Sequence, residues 1–152
     1  MKDVRDISSH DVATLVPHTS VARFLTGILS MTPNAIAATG AIPLGHALVS
    51  HGRAPVFLAI ELGAQAAAAF EAITRAQRPD AVAGPRVGSL VRIREAHFHQ
   101  ASVPADTEIS VAAELMGAAP PLAIYRLTAT IEDTVVLTAV ISTHAGPAGG
   151  IA

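Results

Sequence analysis

The stretch that decides the fold is PVFLAIELGAQAAAAFEAITRAQ, residues 55–77. Pro55 suits the first position of a helix, where its missing N–H is not needed, and Arg75 is placed to complement the helix dipole at the other end. Pro79 stops the helix from continuing. The pattern therefore predicts one helix from about Pro55 to about Gln77. Apolar residues lie on every side of its first four turns, so we expect other elements to cover it nearly all round.

The apolar run from Ala54 to Phe70 contains Glu61 and Gln65, and most of its apolar residues are Ala. An acidic residue within a membrane span is costly and Ala contributes little to insertion, so we expect a buried helix and no membrane span. Residues Met1–Asp6 are charged and no apolar segment follows them. This argues against a signal peptide and makes the cytoplasm the expected location.

The composition is that of a single, unusually apolar domain. The 152 residues are 51% apolar, 14% charged and 3% aromatic, with no Cys or Trp. This length buries enough surface for one core, and the lack of Cys excludes thiol chemistry and Cys-ligated zinc. Ten Lys and Arg against twelve Asp and Glu give a net charge of −2, which is the wrong sign for binding nucleic acid. We expect one domain over residues 1–146 and a mobile tail over 147–152.

Alternation of apolar and polar residues predicts several strands after the helix. Residues 108–115 form one strand, and the tight turn Asp133-Thr134 joins two more into a hairpin. The residues predicted to face inward are Ile109, Val111, Ala113 and Leu115, then Tyr125, Leu127, Ala129 and Ile131, then Val135, Leu137, Ala139 and Ile141. Leu90–Phe98 reads as a further strand, and residues 104–106 as the loop that leads into Glu108.

Before the helix, residues 22–31 and 35–41 are predicted to pair as a hairpin around the turn 32–34. Residues 11–15 are predicted to form a short helical turn, with Ser8 and Asp11 spaced as a capping box. The order is two strands, one helix and four strands, without the alternation typical of parallel sheets. It favours an α+β domain in which an antiparallel sheet wraps around one long helix.

This element order and three local segments resemble the hot-dog fold, specifically the 3-hydroxyacyl-acyl-carrier-protein dehydratases. The resemblance covers about Asp11 to His144. Residues 15–18 (LVPH) are similar to the family's Leu-Pro-His entry segment, and residues 103–108 (VPADTE) to the loop before its fourth strand. Residues 60–65 (IELGAQ) are similar to the family's Glu-x-x-Ala-Gln. The family's acidic residue is catalytic, and it corresponds here to Glu61.

The segment before the helix departs from the family pattern. Residues 45–55 (GHALVSHGRAP) keep the opening Gly-His but lack most of the family's prolines, and His46 lies 61 − 46 = 15 residues before Glu61, one more than usual. The run GRAPVFLAIE, residues 52–61, looks more like a divergent branch, the dehydratase-like proteins of aryl-polyene biosynthetic clusters. Members of that branch often lack the catalytic His and act as partners of an active subunit.

Dehydration of a 3-hydroxyacyl thioester requires a base, an acid and a group that polarises the carbonyl. Burial in an apolar helix is expected to raise the pKa of an unpaired Glu61, which makes it the candidate acid. His46 is the candidate base, with His51 as runner-up. His51, Gly52 and Gln65 are the candidate substrate-binding residues, and Gln65 either orients Glu61 or lines the acyl tunnel. Backbone N–H groups of the first helical turn, or of the loop after His46, are candidates to polarise the carbonyl.

The alternatives to these roles are structural ones. Glu61 could be a buried carboxylate satisfied by a hydrogen bond, and His46 and His51 could be exposed loop residues. His97 and His99 share a strand face but lack an identifiable third ligand, so we expect no metal site, and no phosphate-binding loop points to a cofactor. Two interpretations fit three further arginines: they contact an acidic carrier protein, or they lie on a solvated surface. These residues are Arg86, Arg92 and Arg94.

The leading hypothesis is a dehydratase acting on 3-hydroxyacyl groups carried by acyl carrier protein in fatty-acid or polyene biosynthesis. The alternatives are a non-catalytic hot-dog subunit that partners an active dehydratase, and a thioesterase in which Glu61 activates water. The resemblance implies a homodimer, or a heterodimer with a second hot-dog subunit. In such a dimer the sheets join edge to edge, the long helices pack at the centre, and the acyl-thioester sites lie at the subunit interface.

Overall fold

A computed structural model describes residues 12–16, 20–79 and 88–146. The predictions for the Ser8 capping box, His18, Arg86 and the tail 147–152 fall outside these residues. The elements are α1 (Val12–Leu15), a 3-10 turn (Ser20–Ala22), β1 (Leu25–Thr32), β2 (Ala35–Gly40), β3 (Arg53–Pro55), α2 (Leu58–Ala76), β4 (Gly88–Phe98), β5 (Ser102–Pro104), β6 (Ile109–Ala119), β7 (Leu122–Ile131) and β8 (Thr134–Ala145).

Six strands form one antiparallel sheet in the order β1-β2-β6-β7-β8-β4. Helix α2 packs on one face of this sheet, and its buried side chains form the core together with the inward-facing residues of the strands. Over the described residues, the predicted α+β architecture, an antiparallel sheet packed around a long helix, is confirmed. Strand β4 lies at one edge of the sheet and is exposed along almost its whole length.

The predicted alternation holds in β6 and β7 and fails at the start of β8. Val135 is 37% exposed, whereas its neighbour Val136 is fully buried, so the inward orientation predicted for Val135 was wrong. The cause is a bulge, because Ala129 pairs with Leu137 while the next residue, Thr130, pairs with Val135. An extra residue in one strand shifts the alternation by one position.

The helix begins later than Pro55, so the predicted start was wrong. Pro55 lies in β3, which pairs antiparallel with β5, and the N–H of Val56 donates to the carbonyl of Ala101 at 3.1 Å. These bonds hold residues 53–56 extended, so α2 begins only at Leu58. The small sheet depends on pairing between segments almost fifty residues apart, which local periodicity does not register.

Gly40 allows the first hairpin to pack closely against the helix. A Cβ atom at this position would lie 2.4 Å from the carbonyl oxygen of Phe24 and 2.4 Å from Cδ1 of Leu62. Because the Phe24 oxygen belongs to the backbone, it can move away from an added Cβ only if the main chain shifts. We expect Gly40→Ala to lower the free energy of unfolding by about 1–3 kcal/mol, the usual cost of overpacking.

Urea denaturation of Gly40→Ala beside Gly117→Ala tests this expectation. Gly117 also lies in a strand, but a Cβ there would meet nothing within 4 Å. The Gly117 variant should therefore stay within about 0.5 kcal/mol of the wild type. Equal stabilities of the two variants would show that the close contact at Gly40 is relieved without cost.

Tyr125 links the sheet to the helix through its hydroxyl, which donates a 2.7 Å hydrogen bond to Oε1 of Glu71. Burial, and secondarily the nearby Glu71 carboxylate, raise the pKa of Tyr125 far above its ordinary value. In the unfolded chain this phenol ionises near pH 10, whereas in the folded protein it stays protonated there. Its contribution to stability is therefore complete below about pH 10 and is lost progressively as the pH rises further.

We expect the unfolding free energy of the wild type to fall more steeply than that of Tyr125→Phe between about pH 10 and 11. Urea denaturation at pH 9, 10 and 11 measures both slopes. A difference between the two slopes can be assigned to this phenol, because Tyr125 is the sole tyrosine in the sequence. Parallel curves for the two proteins would mean that this phenol ionises equally readily in the folded and unfolded states.

Candidate functional site

An apolar groove of about 660 Å³ runs along the N-terminal end of α2, between the start of β1 and the edge strand β4. Two polar side chains, His46 and Glu61, line it, so the structure brings the predicted acid and base into one site. The remaining lining residues are apolar: Ala22, Phe24, Phe57, Leu58, Ile60, Leu90, Ile93 and Phe98. The groove thus offers an apolar surface for a chain and two titratable groups beside it.

Glu61 lies in the first turn of α2 and is half-buried. The amide of Gln65, one turn further along, donates to Glu61 Oε1 at 3.3 Å. Glu61 is therefore held in position on the same helix face as Gln65, as the four-residue spacing predicts.

Gln65 is fully buried and its amide group makes four hydrogen bonds. Its Oε1 accepts the N–H groups of Phe24 at 2.8 Å and Leu25 at 3.1 Å, and its Nε2 donates to the carbonyl of Ala22 at 2.7 Å as well as to Glu61. Gln65 does not line the groove. Its amide is saturated, so it can act on a bound substrate only by holding Glu61 and the chain entering β1.

His46 lies in the loop between β2 and β3, with its ring edge-on to Phe24 at a centroid separation of 5.4 Å. Its Nδ1 accepts the N–H of Leu48 at 3.1 Å. The same loop is fastened to the turn after β5, because Asp106 accepts the N–H of Leu44 at 3.0 Å and donates its own N–H to Ile42 at 2.9 Å. These contacts fix where the imidazole sits relative to the helix.

Asp106 holds the loop that carries His46, a role that the sequence did not indicate. It lies in the VPADTE segment that resembles the dehydratases, and it adopts a φ of 58°, which Asp tolerates better than most residues. The only available signal was an Asp in a predicted loop. That signal indicates a turn, but not which distant loop the carboxylate holds.

The structure does not bring His51 and Gly52 to the groove. They form the exposed turn before β3, with φ values of 53° and 73°, and Ser50 and Arg53 bridge across it. Gly52 contributes its carbonyl, which accepts the N–H of Ala105 at 2.9 Å. In this arrangement the turn supports the small sheet β3-β5, and the groove is lined without it.

Among the described residues, two backbone N–H groups at the start of α2 have no hydrogen-bond acceptor. The N–H groups of Ala59 and Ile60 donate to Val56 and Phe57, but within the described residues no acceptor is found for the N–H groups of Phe57 and Leu58. Both residues line the groove. Unpaired N–H groups at a helix N-terminus favour an oxygen that carries negative charge.

A second cavity, of about 380 Å³, lies at the C-terminal end of α2. Its lining includes Phe70, Glu71, Arg75, Leu122 and Tyr125. Within the described ranges, no group of three or more His, Asp or Glu side chains could hold a metal ion, and His97 and His99 are both exposed. No helix in that part of the chain is long and apolar enough to cross a membrane.

Comparison with known proteins identifies one matching family and several similar folds. The sequence pattern of a family described as "ApeP-like: ApeP dehydratase" matches residues 10–148. No curated protein sequence gives a significant match. Among solved structures, a chain of the dehydratase heterocomplex ApeI:P from Xenorhabdus doucetiae superposes with a TM-score of 0.79 at 17% identity, covering 90% of this chain and 91% of that chain.

More distant structures share the architecture. The PaaI protein of the E. coli phenylacetic acid degradation operon gives a TM-score of 0.57 at 11% identity, covering 80% of this chain and 79% of that chain. A hypothetical thioesterase with coenzyme A from Streptococcus pneumoniae gives 0.56 at 12% identity, covering 80% and 85%. At such identities the likeness shows the fold alone, and that fold is the hot-dog fold predicted from the sequence.

Proposed function

The chain belongs to the ApeP-like dehydratase family, and we propose that its groove removes water from 3-hydroxyacyl thioesters carried by acyl carrier protein. The observation that carries this proposal is that Glu61 and His46 line one apolar groove. An acid and a base beside an apolar channel are what the elimination of water from an acyl chain requires. We propose fatty-acid or aryl-polyene biosynthesis in the cytoplasm as the setting.

In the proposed reaction His46 removes a proton from the carbon next to the thioester carbonyl. The electron pair forms the double bond to the next carbon, and the hydroxyl leaves as water after taking a proton from Glu61. The proton gained by His46 then returns to Glu61 through solvent, so the pair regains its starting state. The products are an enoyl thioester and one water molecule.

The hydrogen bond at Nδ1 places a requirement on this mechanism. A neutral imidazole that accepts a hydrogen bond at Nδ1 carries its proton on Nε2, and a protonated nitrogen cannot act as a base. For Nε2 to take the substrate proton, the neutral ring must carry its own proton on Nδ1. The 3.1 Å bond from the N–H of Leu48 must therefore open before proton transfer.

The N–H groups of Phe57 and Leu58 are the proposed donors to the thioester carbonyl. When the α-proton is removed, negative charge develops on this oxygen. Fixed backbone N–H groups stabilise the charged oxygen more strongly than they stabilise the neutral carbonyl of the bound substrate. Their position supports the role, because they lie at the helix N-terminus and line the same groove as Glu61.

We propose that the chain functions paired with a second hot-dog subunit through the free edge of β4. The apolar side chains on this strand support the proposal, since Leu90, Ile93 and Phe98 are 37%, 47% and 51% exposed while lining the groove. Phe57, which also lines the groove, is 49% exposed. A neighbouring subunit joined along this edge would cover these side chains and narrow the groove into a channel.

The experiment that tests the proposed function supplies a 3-hydroxyacyl thioester on acyl carrier protein and measures both the enoyl product and free thiol. The chain is assayed alone and mixed with a second hot-dog dehydratase subunit. We expect enoyl product and no thiol. Thiol release would support the thioesterase alternative, and the absence of both products under both conditions would contradict the proposal.

A further inference from the structure

The edge strand β4 carries two adjacent cations on the sheet face that points away from α2. Ile93 pairs with the buried Ile141 and lines the groove, so it points toward the helix. Arg92 and Arg94 flank it and therefore point to the opposite face, where they lie across from Ser142 and Val140. Both arginines are exposed.

The outer face around these arginines lacks a described carboxylate directly across from either one. The next strand offers only the side chains of Ser142 and Val140, and beyond Val140 lies another cation, Arg126. Arg126 already faces Glu114 on its other side. Glu95 follows Arg94 within the bulge that ends before His97, so it is not in the regular pairing. Arg92 and Arg94 thus make this part of the outer face cationic.

Pairing this edge with a second copy of the chain would oppose like charges. When two sheets join edge to edge about a two-fold axis perpendicular to them, directly opposite residues of the two β4 strands lie on the same face of the sheet. Because the faces alternate along a strand, the residue numbers of each opposite pair then sum to an even number. Full overlap of β4 with itself centres on Ile93 and sets Arg92 against Arg94 twice. A centre at Arg92 or at Arg94 sets that arginine against its own copy. Like charges directly opposite destabilise a strand pair.

We propose that the β4 edge selects a different hot-dog chain, one whose edge strand presents Asp or Glu opposite Arg92 and Arg94, in preference to a second copy of this chain. The inference rests on the proposed pairing through β4 and adds the residues that choose the partner. The arginines determine the choice of partner, because opposite charges stabilise the mixed pair and like charges destabilise the self pair.

The double variant Arg92→Glu/Arg94→Glu tests this proposal, because it gives the β4 edge two carboxylates that can lie opposite the arginines of the wild-type chain. Equal amounts of wild type and this variant are mixed in low salt, and dimers are counted by native mass spectrometry and sedimentation. We expect mixed dimers with a Kd at least about tenfold below that of either self dimer. The control Arg53→Glu/Arg78→Glu makes the same change in net charge at exposed positions outside β4 and the strand that it pairs with, and it should show no preference for the wild type.

A second measurement needs no variant. Self-association of the wild-type chain should strengthen between 50 mM and 500 mM NaCl, because salt screens the repulsion between the arginines. Tight self dimers that are independent of salt, or mixed dimers that form equally well with the control variant, would overturn the proposal. These readouts are masses, not turnover, so a failure here is distinguishable from a failure of the proposed dehydratase activity.

Discussion

Replacing Glu61 by glutamine is expected to lower the rate of enoyl-thioester formation by about 10²–10⁴-fold, the usual contribution of a general acid. Glutamine has nearly the same shape and keeps an oxygen for the 3.3 Å bond from Gln65, so the helix and groove should remain intact. What the amide loses is the proton that the leaving hydroxyl requires. Turnover is measured with the purified chain mixed with a second hot-dog dehydratase subunit.

Glu71→Gln is the matched control for Glu61→Gln. Glu71 lies on the same helix but lines the second cavity and contacts Tyr125, about 15 Å further along the helix axis at 1.5 Å per residue. We expect Glu71→Gln to retain turnover within a factor of about three. If Glu61→Gln keeps full turnover, the acid lies elsewhere, and the chain fits the alternative of a non-catalytic subunit.

Gln65→Leu is expected to have the largest effect on stability. Leucine fits a similar volume but leaves the buried N–H groups of Phe24 and Leu25 without an acceptor and the carbonyl of Ala22 without its donor. Each unsatisfied buried group costs about 1–3 kcal/mol, so we expect a loss of about 3 kcal/mol or more in the free energy of unfolding. Urea denaturation monitored by circular dichroism gives the value.

Gln77→Leu controls for the change of residue type. Gln77 is exposed immediately after the end of α2, and its substitution should change the unfolding free energy by no more than about 0.5 kcal/mol. If Gln65→Leu were as stable as Gln77→Leu, water or a backbone shift would be satisfying the freed groups. In that case Gln65 would not be the link between the helix and the first strand.

Local patterns predicted most of the fold. The strands β6 and β7 follow the alternation of apolar residues, and the run of small apolar residues around Glu61 predicted a helix covered by a sheet. The errors came from interactions between distant segments. The pairing of β3 with β5 holds Pro55 extended, and a bulge opposite Thr130 turns Val135 outward.

The site was predictable to a smaller extent. The resemblance to dehydratases picked out Glu61 and His46, and the structure brings both to the groove. Gln65 was predicted to bind substrate, either by orienting Glu61 or by lining the acyl tunnel. Its bonds to the chain entering β1 were not predicted, because they span about forty positions in the sequence. His51 remained the runner-up to His46 because the sequence of a loop does not indicate which of its histidines turns toward the helix.

The proposed function requires that the acyl chain of the substrate lies in the groove beside Glu61. Photolabelling measures this position, with a 3-hydroxyacyl thioester whose chain carries a diazirine and with the labelled peptides identified by mass spectrometry. We predict modification of groove residues such as Phe57, Ile60 and Ile93, suppressed by excess unlabelled thioester. Labelling confined to the second cavity, around Leu122 and Tyr125, or labelling that the unlabelled thioester does not suppress, would show that the acyl chain does not bind in the groove.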